Sequence, residues 1–126
     1  MDEKSSLLSV LYNKDKVDEW LEEGIRKIKY EDLQNAIKNN VYVDKLLFNH
    51  YSKYMNNPLL KPIIKMIFKS YWKTVESILT EKYKLYNILT ENRPEFKALL
   101  DDPKSRIWLN MCRERGYISL YNWTWR

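Results

Sequence analysis

Lysine recurs at every fourth position through the middle of the chain, at Lys61, Lys65, Lys69 and Lys73. A helix advances about 100° per residue, so these side chains fall on one side of it, together with Trp72 and Tyr83. Regularly spaced ammonium groups can track phosphates, and aromatic rings between them can stack on bases. The pattern therefore indicates a nucleic-acid-binding helix face, the competing interpretation being a lysine face that only keeps the helix solvated.

A second basic group lies nearer the C-terminus and consists of arginines, namely Arg106, Arg113 and Arg115. Arginine binds phosphate bidentately and stacks on the planes of bases. These three side chains are therefore further candidates for nucleic-acid binding, while the simpler interpretation is that they keep the surface soluble.

The C-terminal segment, residues 117–126, carries four aromatic residues that share one side when it is read with a period of two: Tyr117, Tyr121, Trp123 and Trp125. An alternating segment after Gly116 predicts an extended strand. The rest of the chain offers no second convincing strand to satisfy its backbone. Because Trp and Tyr are frequent in interface hot spots, we expect this segment to bind a protein partner or a second copy as a homodimer. The alternative is a segment that folds back to complete the core.

Residue types that perform catalysis are sparse in this sequence. His50 is the only histidine and Cys112 the only cysteine, and both fall among apolar residues at helical spacing, which predicts structural roles. One His and one Cys cannot form a zinc site without several carboxylates, and no carboxylate pair stands out by its spacing. There is no glycine-rich phosphate loop. We therefore expect no enzymatic activity, no metal and no cofactor.

Composition restricts the class of protein. The chain has 126 residues, 44% of them hydrophobic, with only 2 glycines and 4 prolines, which favours long helices with short connections in one domain, residues 1–126. A single cysteine allows no internal disulfide, the first residues do not resemble a signal peptide, and lysines interrupt the most apolar stretch, residues 59–68. We expect a cytoplasmic protein outside the membrane. Abundant Lys, Asn, Ile and Tyr are typical of an A+T-rich genome and suggest an origin in a mobile element, a virus or an A+T-rich microbe.

Apolar periodicity predicts an all-α fold of five to seven helices in one compact domain, followed by the extended aromatic segment. The main expected element is one long helix, about residues 62–91, which carries the lysine series and would measure roughly 45 Å. A break near Thr80 is the alternative. Asp15 is the expected N-cap of an early helix, and Asp102 with Pro103 is expected to begin the last one. The inner stripe of that last helix is predicted from its apolar members, namely Ile107, Trp108, Met111 and Cys112.

Two shorter helices, about residues 31–38 and 42–55, invite comparison with a helix-turn-helix. The match is poor, because Asn35 and Asn39 occupy positions where apolar packing is expected and the turn lacks glycine.

Charge is unevenly distributed along the chain. Residues 1–32 carry a net charge of −3, residues 33–90 carry +6 and residues 91–126 carry +2. A basic middle section with interleaved aromatics favours a non-catalytic nucleic-acid-binding protein, of DNA or RNA. The alternative is a protein–protein interaction module, such as a small subunit or an inhibitor, that docks through the aromatic C-terminal segment.

Overall fold

The computed structural model describes residues 3–115 and Asn122, and residues 3–115 form nine helices joined by short turns. In chain order the helices are α1 (Glu3–Leu11), α2 (Lys14–Arg26), α3 (Tyr30–Lys38), α4 (Val43–Met55), α5 (Lys61–Ser70), α6 (Trp72–Thr80), α7 (Lys82–Thr90), α8 (Pro94–Leu100) and α9 (Pro103–Arg115). The predicted all-α class is confirmed over these residues, with more helices than the five to seven expected. The predicted extended segment, residues 117–126, lies outside the described residues apart from Asn122.

The predicted long helix over residues 62–91 is wrong, because the structure divides this stretch into α5, α6 and α7. Tyr71 interrupts it first, with φ −122° and ψ 29°, and the Tyr71 hydroxyl donates a 2.7 Å hydrogen bond to the Leu11 carbonyl at the end of α1. Glu81 interrupts it again with an extended backbone (φ −72°, ψ 128°). A 45 Å rod would also exceed the diameter of roughly 35 Å expected for a compact chain of this length.

Two side-chain hydrogen bonds lie beside the second break, where α6 ends. The Thr80 hydroxyl donates to the Glu76 carbonyl, and the Ser77 hydroxyl donates to the Glu81 carboxylate. The Thr80 bond reaches the carbonyl four residues earlier and is of the kind that bends helices, and the Ser77 bond holds the Glu81 side chain against the last turn of α6. The breaks let each short helix turn its apolar side inward. The residues buried as the periodicity predicted are Ile64, Ile67, Phe68, Val75, Ile78, Leu85 and Leu89, while Tyr71 is half-buried.

Helix α2 begins two residues earlier than the sequence predicted. Asn13 is the N-cap, and its side-chain oxygen accepts a 3.0 Å hydrogen bond from the Asp15 backbone N–H. The predicted cap, Asp15, lies instead in the first turn, where its charge still complements the helix dipole. Asn precedes Asp here, and both residues are strong caps, so residue type alone could not choose between them.

An aromatic cluster joins α2, α4 and α5 at the centre of the N-terminal half. The Tyr51 ring lies 4.5 Å from that of Trp20 and 5.5 Å from that of Phe68, measured between centroids. Tyr51 is completely buried, and burial raises the pKa of its phenol far above the usual value. Gly24 gives this ring its space, because a Cβ at that position would come within 2.6 Å of Tyr51 Oη.

Replacing Gly24 by alanine is therefore expected to destabilise the protein, despite the higher helix propensity of alanine. We expect a loss of about 1–3 kcal/mol, the range for overpacking a well-filled core, measured by urea denaturation. The matched background is Tyr51→Phe, which removes the closest atom, so that the nearest remaining ring carbon is 3.2 Å away. In the Tyr51→Phe background, Gly24→Ala should lower the free energy of unfolding by clearly less. An equal loss in both backgrounds would show that contact with the Tyr51 hydroxyl does not cause the destabilisation.

Arg93 connects the end of α2 with the start of α8. Its guanidinium donates to the carbonyls of Arg26 at 2.8 Å and Ile28 at 3.0 Å, and its Nε donates to Leu89 at 2.9 Å. The guanidinium carbon also lies 3.8 Å from the centroid of the Phe96 ring. These bonds satisfy carbonyls that the C-terminus of a helix leaves without partners. Arg93 therefore has a structural role that the sequence did not reveal.

Helix α9 begins as predicted, with Pro103 as its first residue and the Asp102 carboxylate accepting a 2.9 Å hydrogen bond from the Lys104 N–H. Its predicted inner stripe is partly wrong. Trp108 and Cys112 are buried, but Ile107 is 69% exposed and Met111 only half-buried. The Trp108 indole N–H donates to the Val41 carbonyl at 2.6 Å, which fixes the rotation of the helix. This rotation directs Ser105 rather than Ile107 into the interior.

Candidate nucleic-acid interface

The lysine series does not form one continuous row, because the break at Tyr71 divides it. Lys61, Lys65 and Lys69 lie on α5, and Lys73 lies at the start of α6. All but Lys65, which is half-buried, are exposed. The expectation of a single lysine face on one helix is corrected accordingly. Three of the lysines form a short basic stretch on α5, and the fourth belongs to the next helix.

Trp72 lies beside the end of this series and is half-buried. The Lys73 ammonium is 5.9 Å from the centroid of the Trp72 ring, within the range of a cation–π contact. This part of the surface thus combines a cation with an aromatic ring, whereas Tyr83 lies beyond the break at Glu81, on α7.

A surface pocket of about 400 Å³ opens where α7 packs against α8 and α9. Its lining includes Tyr83 from the predicted lysine and aromatic group, and Arg106 and Arg113 from the predicted arginine group. Its lining residues are Tyr83, Tyr86, Leu100, Asp101, Arg106, Leu109, Asn110 and Arg113. The two groups are distant in the sequence, so their meeting is a result of the tertiary fold.

The α9 wall of the pocket follows directly from helical spacing. Arg106, Asn110 and Arg113 stand at positions i, i+4 and i+7, which share one helix face. Seven residues correspond to roughly 10 Å along the axis, so the arginines lie at the two ends of this wall and the amide lies between them. The opposite wall carries Tyr83 and Tyr86, three residues apart on α7 and therefore also on one face.

Hydrogen-bonded side chains fix the part of the pocket where α7 meets the end of α8. The Tyr86 hydroxyl donates to Asp101 Oδ1 at 2.7 Å, and the Lys97 ammonium lies 3.2 Å from Asp101 Oδ2. The Tyr86 hydrogen bond, followed by the one from Lys97, lowers the pKa of the Asp101 carboxyl, with a further contribution from the charge of Arg106. The same bond raises the pKa of the Tyr86 phenol. Asp101 is thus an ionised acceptor, and Tyr86 is held in one orientation.

The remaining predicted binding residues are not part of this pocket. Lys61, Lys65, Lys69, Lys73 and Trp72 lie on α5 and α6, and none of them lines the pocket. Arg115 is the last residue of α9. The predicted interface residues lie outside the described part of the chain, namely Tyr117, Tyr121, Trp123 and Trp125.

Three polar or aromatic pocket residues were not predicted as site residues: Tyr86, Asp101 and Asn110. The spacing of Arg106, Asn110 and Arg113 was a usable signal for the amide. Tyr86 and Asp101 offered no comparable signal, because their pairing depends on how α7 meets the end of α8.

The helix pair α3 and α4 lacks the packing of a helix-turn-helix. Asn35 and Asn39, which stand at positions where that motif packs apolar side chains, are exposed. Asn40 forms the turn with a left-handed backbone (φ 54°), as expected for an Asn-rich connection.

His50 and Cys112 both pack against apolar surroundings. The His50 ring is half-buried and meets the Tyr51 ring edge-on at 4.8 Å. Burial, followed by the charges of Lys53 and Lys27, lowers its pKa. Cys112 is fully buried, and burial raises the pKa of its thiol to about 12. Across the described residues, no group of three or more His, Cys, Asp or Glu side chains is arranged to hold a metal ion.

Cys112 is expected to resist alkylation in the folded protein, because the reactive thiolate is scarce at pH 8 and the sulfur is closed to solvent. The measurement is the rate of iodoacetamide labelling with and without denaturant, followed by intact mass. Labelling should become complete only when the protein unfolds. Fast labelling of a sample whose melting temperature is unchanged would show that the thiol is accessible.

Similarity to other proteins does not assign this chain to a class. No family model matches it, and neither a curated protein nor a solved structure shows a significant match. Among the helices described, none has both the length and the apolar character required to cross a bilayer. Function must therefore be argued from the site itself.

Proposed function

We propose that this protein binds nucleic acid without catalysing a reaction on it. One observation carries the proposal: Tyr83 from the first candidate group and Arg106 and Arg113 from the second line the same pocket. An aromatic ring opposite two guanidinium groups is the combination that stacks a base while neutralising the adjoining backbone. Both arginines are exposed, so a ligand as large as a polynucleotide can reach them.

Electrostatics supports the same proposal beyond the pocket. Among the described residues that line the pocket, Asp101 is the only acidic one, and it already accepts bonds from Tyr86 and Lys97. The lysines on α5 and α6 belong to the section of the chain with a net charge of +6. Such a positive charge adds affinity for a polyanion without base specificity.

The proposal predicts the effect of removing the two pocket arginines. Arg106→Gln with Arg113→Gln should weaken binding of a fluorescent oligonucleotide and reduce the slope of log K against log salt by roughly 1.4, about 0.7 for each single-strand phosphate contact. The matched control is Lys4→Gln with Lys29→Gln, which removes the same charge from exposed positions on α1 and immediately before α3. If the control lowers the slope equally, only total charge matters, and the pocket is not the binding site.

A further inference from the structure

The pocket has the size and shape for one nucleotide rather than for the face of a duplex. Its volume of about 400 Å³ lies at the lower end of the range of roughly 300–1,000 Å³ for small-molecule sites. A base within a duplex is paired and stacked, and it must leave the stack before it can enter a concave site. A pocket of this kind therefore favours bases that are already unpaired.

The apolar part of the pocket suits the face of a base. Tyr83 is 65% exposed, so much of its side chain lies at the surface. Leu109 is half-buried and forms an apolar floor next to the ring of Tyr86, and the fully buried Leu100 supports this floor from the core. Sugar and phosphate groups gain little from such a floor, whereas a base can cover it and stack on Tyr83.

The polar groups divide into those that fit phosphate and those that fit a base edge. Arg106 and Arg113, roughly 10 Å apart along α9, present cations at both ends of the wall. Asp101 repels phosphate but accepts hydrogen bonds from the amino or imino groups of a base. Asn110, between the arginines, both donates and accepts. The base is thus directed towards Asp101 and Asn110, and its flanking phosphates towards the arginines.

From this arrangement, and resting on the proposed function, we infer that the pocket captures a single unpaired nucleotide. Tyr83 provides the stacking surface, Asp101 and Asn110 contact the base edge, and Arg106 and Arg113 contact the phosphates on either side. The protein consequently prefers single-stranded nucleic acid to duplexes.

The test compares one oligonucleotide as a single strand and as a duplex, by fluorescence anisotropy at about 50 mM salt. The wild type should bind the single strand at least several-fold more tightly. Tyr83→Ala should weaken single-strand binding by roughly 5- to 150-fold, the effect of losing one stacked base, and leave duplex binding nearly unchanged. Tyr83→Phe should retain the preference. The control is Tyr12→Ala, which removes an exposed tyrosine from the end of α1.

The outcomes separate this inference from the proposed function. Equal binding of both forms by the wild type, or an equal loss on both with Tyr83→Ala, would overturn the inference while the proposed function stands. Absence of binding to either form would overturn both. If Tyr83→Ala lowers the melting temperature, the test uses Tyr83→Leu instead, because leucine keeps apolar bulk and lacks the ring. The loss of single-strand binding is then compared with the loss of duplex binding for that variant.

Discussion

Replacing Arg93 by methionine is expected to lower the free energy of unfolding by about 2–4 kcal/mol, because its hydrogen bonds to several carbonyls are lost together. The guanidinium reaches the Arg26 and Ile28 carbonyls at the end of α2 and the Leu89 carbonyl at the end of α7. Methionine retains contact with Phe96 but cannot donate. The measurement is urea denaturation followed by circular dichroism.

The matched control for this prediction is Arg26→Met. Arg26 forms ion pairs with Glu91 at 2.8 Å and Glu22 at 3.3 Å, but these pairs are exposed, and exposed pairs contribute at most about 1 kcal/mol. Arg93→Lys should recover little stability, because an ammonium group cannot reproduce the fork of the guanidinium. If Arg93→Met and Arg26→Met cost the same, Arg93 is not the connection between α2 and α8 that its geometry indicates.

Trp108→Ala should have the largest effect of any single substitution considered, a loss of about 3–5 kcal/mol. Trp108 is 1% exposed and is the largest side chain in the core. Its removal leaves a cavity where α9 packs against α3, α6, α7 and α8, and also removes the donor to the Val41 carbonyl. At roughly 4 °C per kcal/mol for a chain of this size, the melting temperature should fall by more than about 10 °C.

Trp108→Phe separates the cavity from the hydrogen bond. Phenylalanine retains much of the aromatic bulk but cannot donate to the Val41 carbonyl. The free energy of unfolding should therefore fall by a smaller amount, about 1–3 kcal/mol, from the unsatisfied carbonyl and some lost volume. Ile107→Ala is the matched control on the same helix, because Ile107 is exposed. A loss with Ile107→Ala as large as that with Trp108→Ala would contradict the observed rotation of α9.

Apolar spacing predicted which side chains are buried better than it predicted where helices end. Residues such as Ile67, Val75 and Leu89 are buried as expected, because burial depends on a local periodicity that the sequence displays directly. The break at Tyr71 depends on a hydrogen bond to Leu11, sixty residues away in the chain. No local pattern can reveal such a bond. The break after Thr80 is more local, with side-chain hydrogen bonds from Ser77 and Thr80 beside it, and the sequence had left a break near Thr80 open.

The same distinction applies to the candidate site. Residue type was sufficient to single out Tyr83, Arg106 and Arg113, but not to show that they share a pocket. That result depends on α7 packing against α9, two helices separated by α8 in the sequence. Ile107 was misplaced for a related reason: the Trp108 bond to Val41, rather than the apolar stripe of α9, determines the rotation of that helix.

The most direct measurement for the central claim is a titration of the wild-type protein with a single-stranded oligonucleotide across a range of salt concentrations. We predict saturable binding at about 50 mM salt. The plot of log K against log salt should fall linearly with a slope of about −1.4 or steeper, because two arginine–phosphate contacts contribute about 0.7 each. No measurable binding at about 50 mM salt, or binding that does not change with salt, would contradict the account. The protein-interaction interpretation of the C-terminal segment would then be the one to pursue.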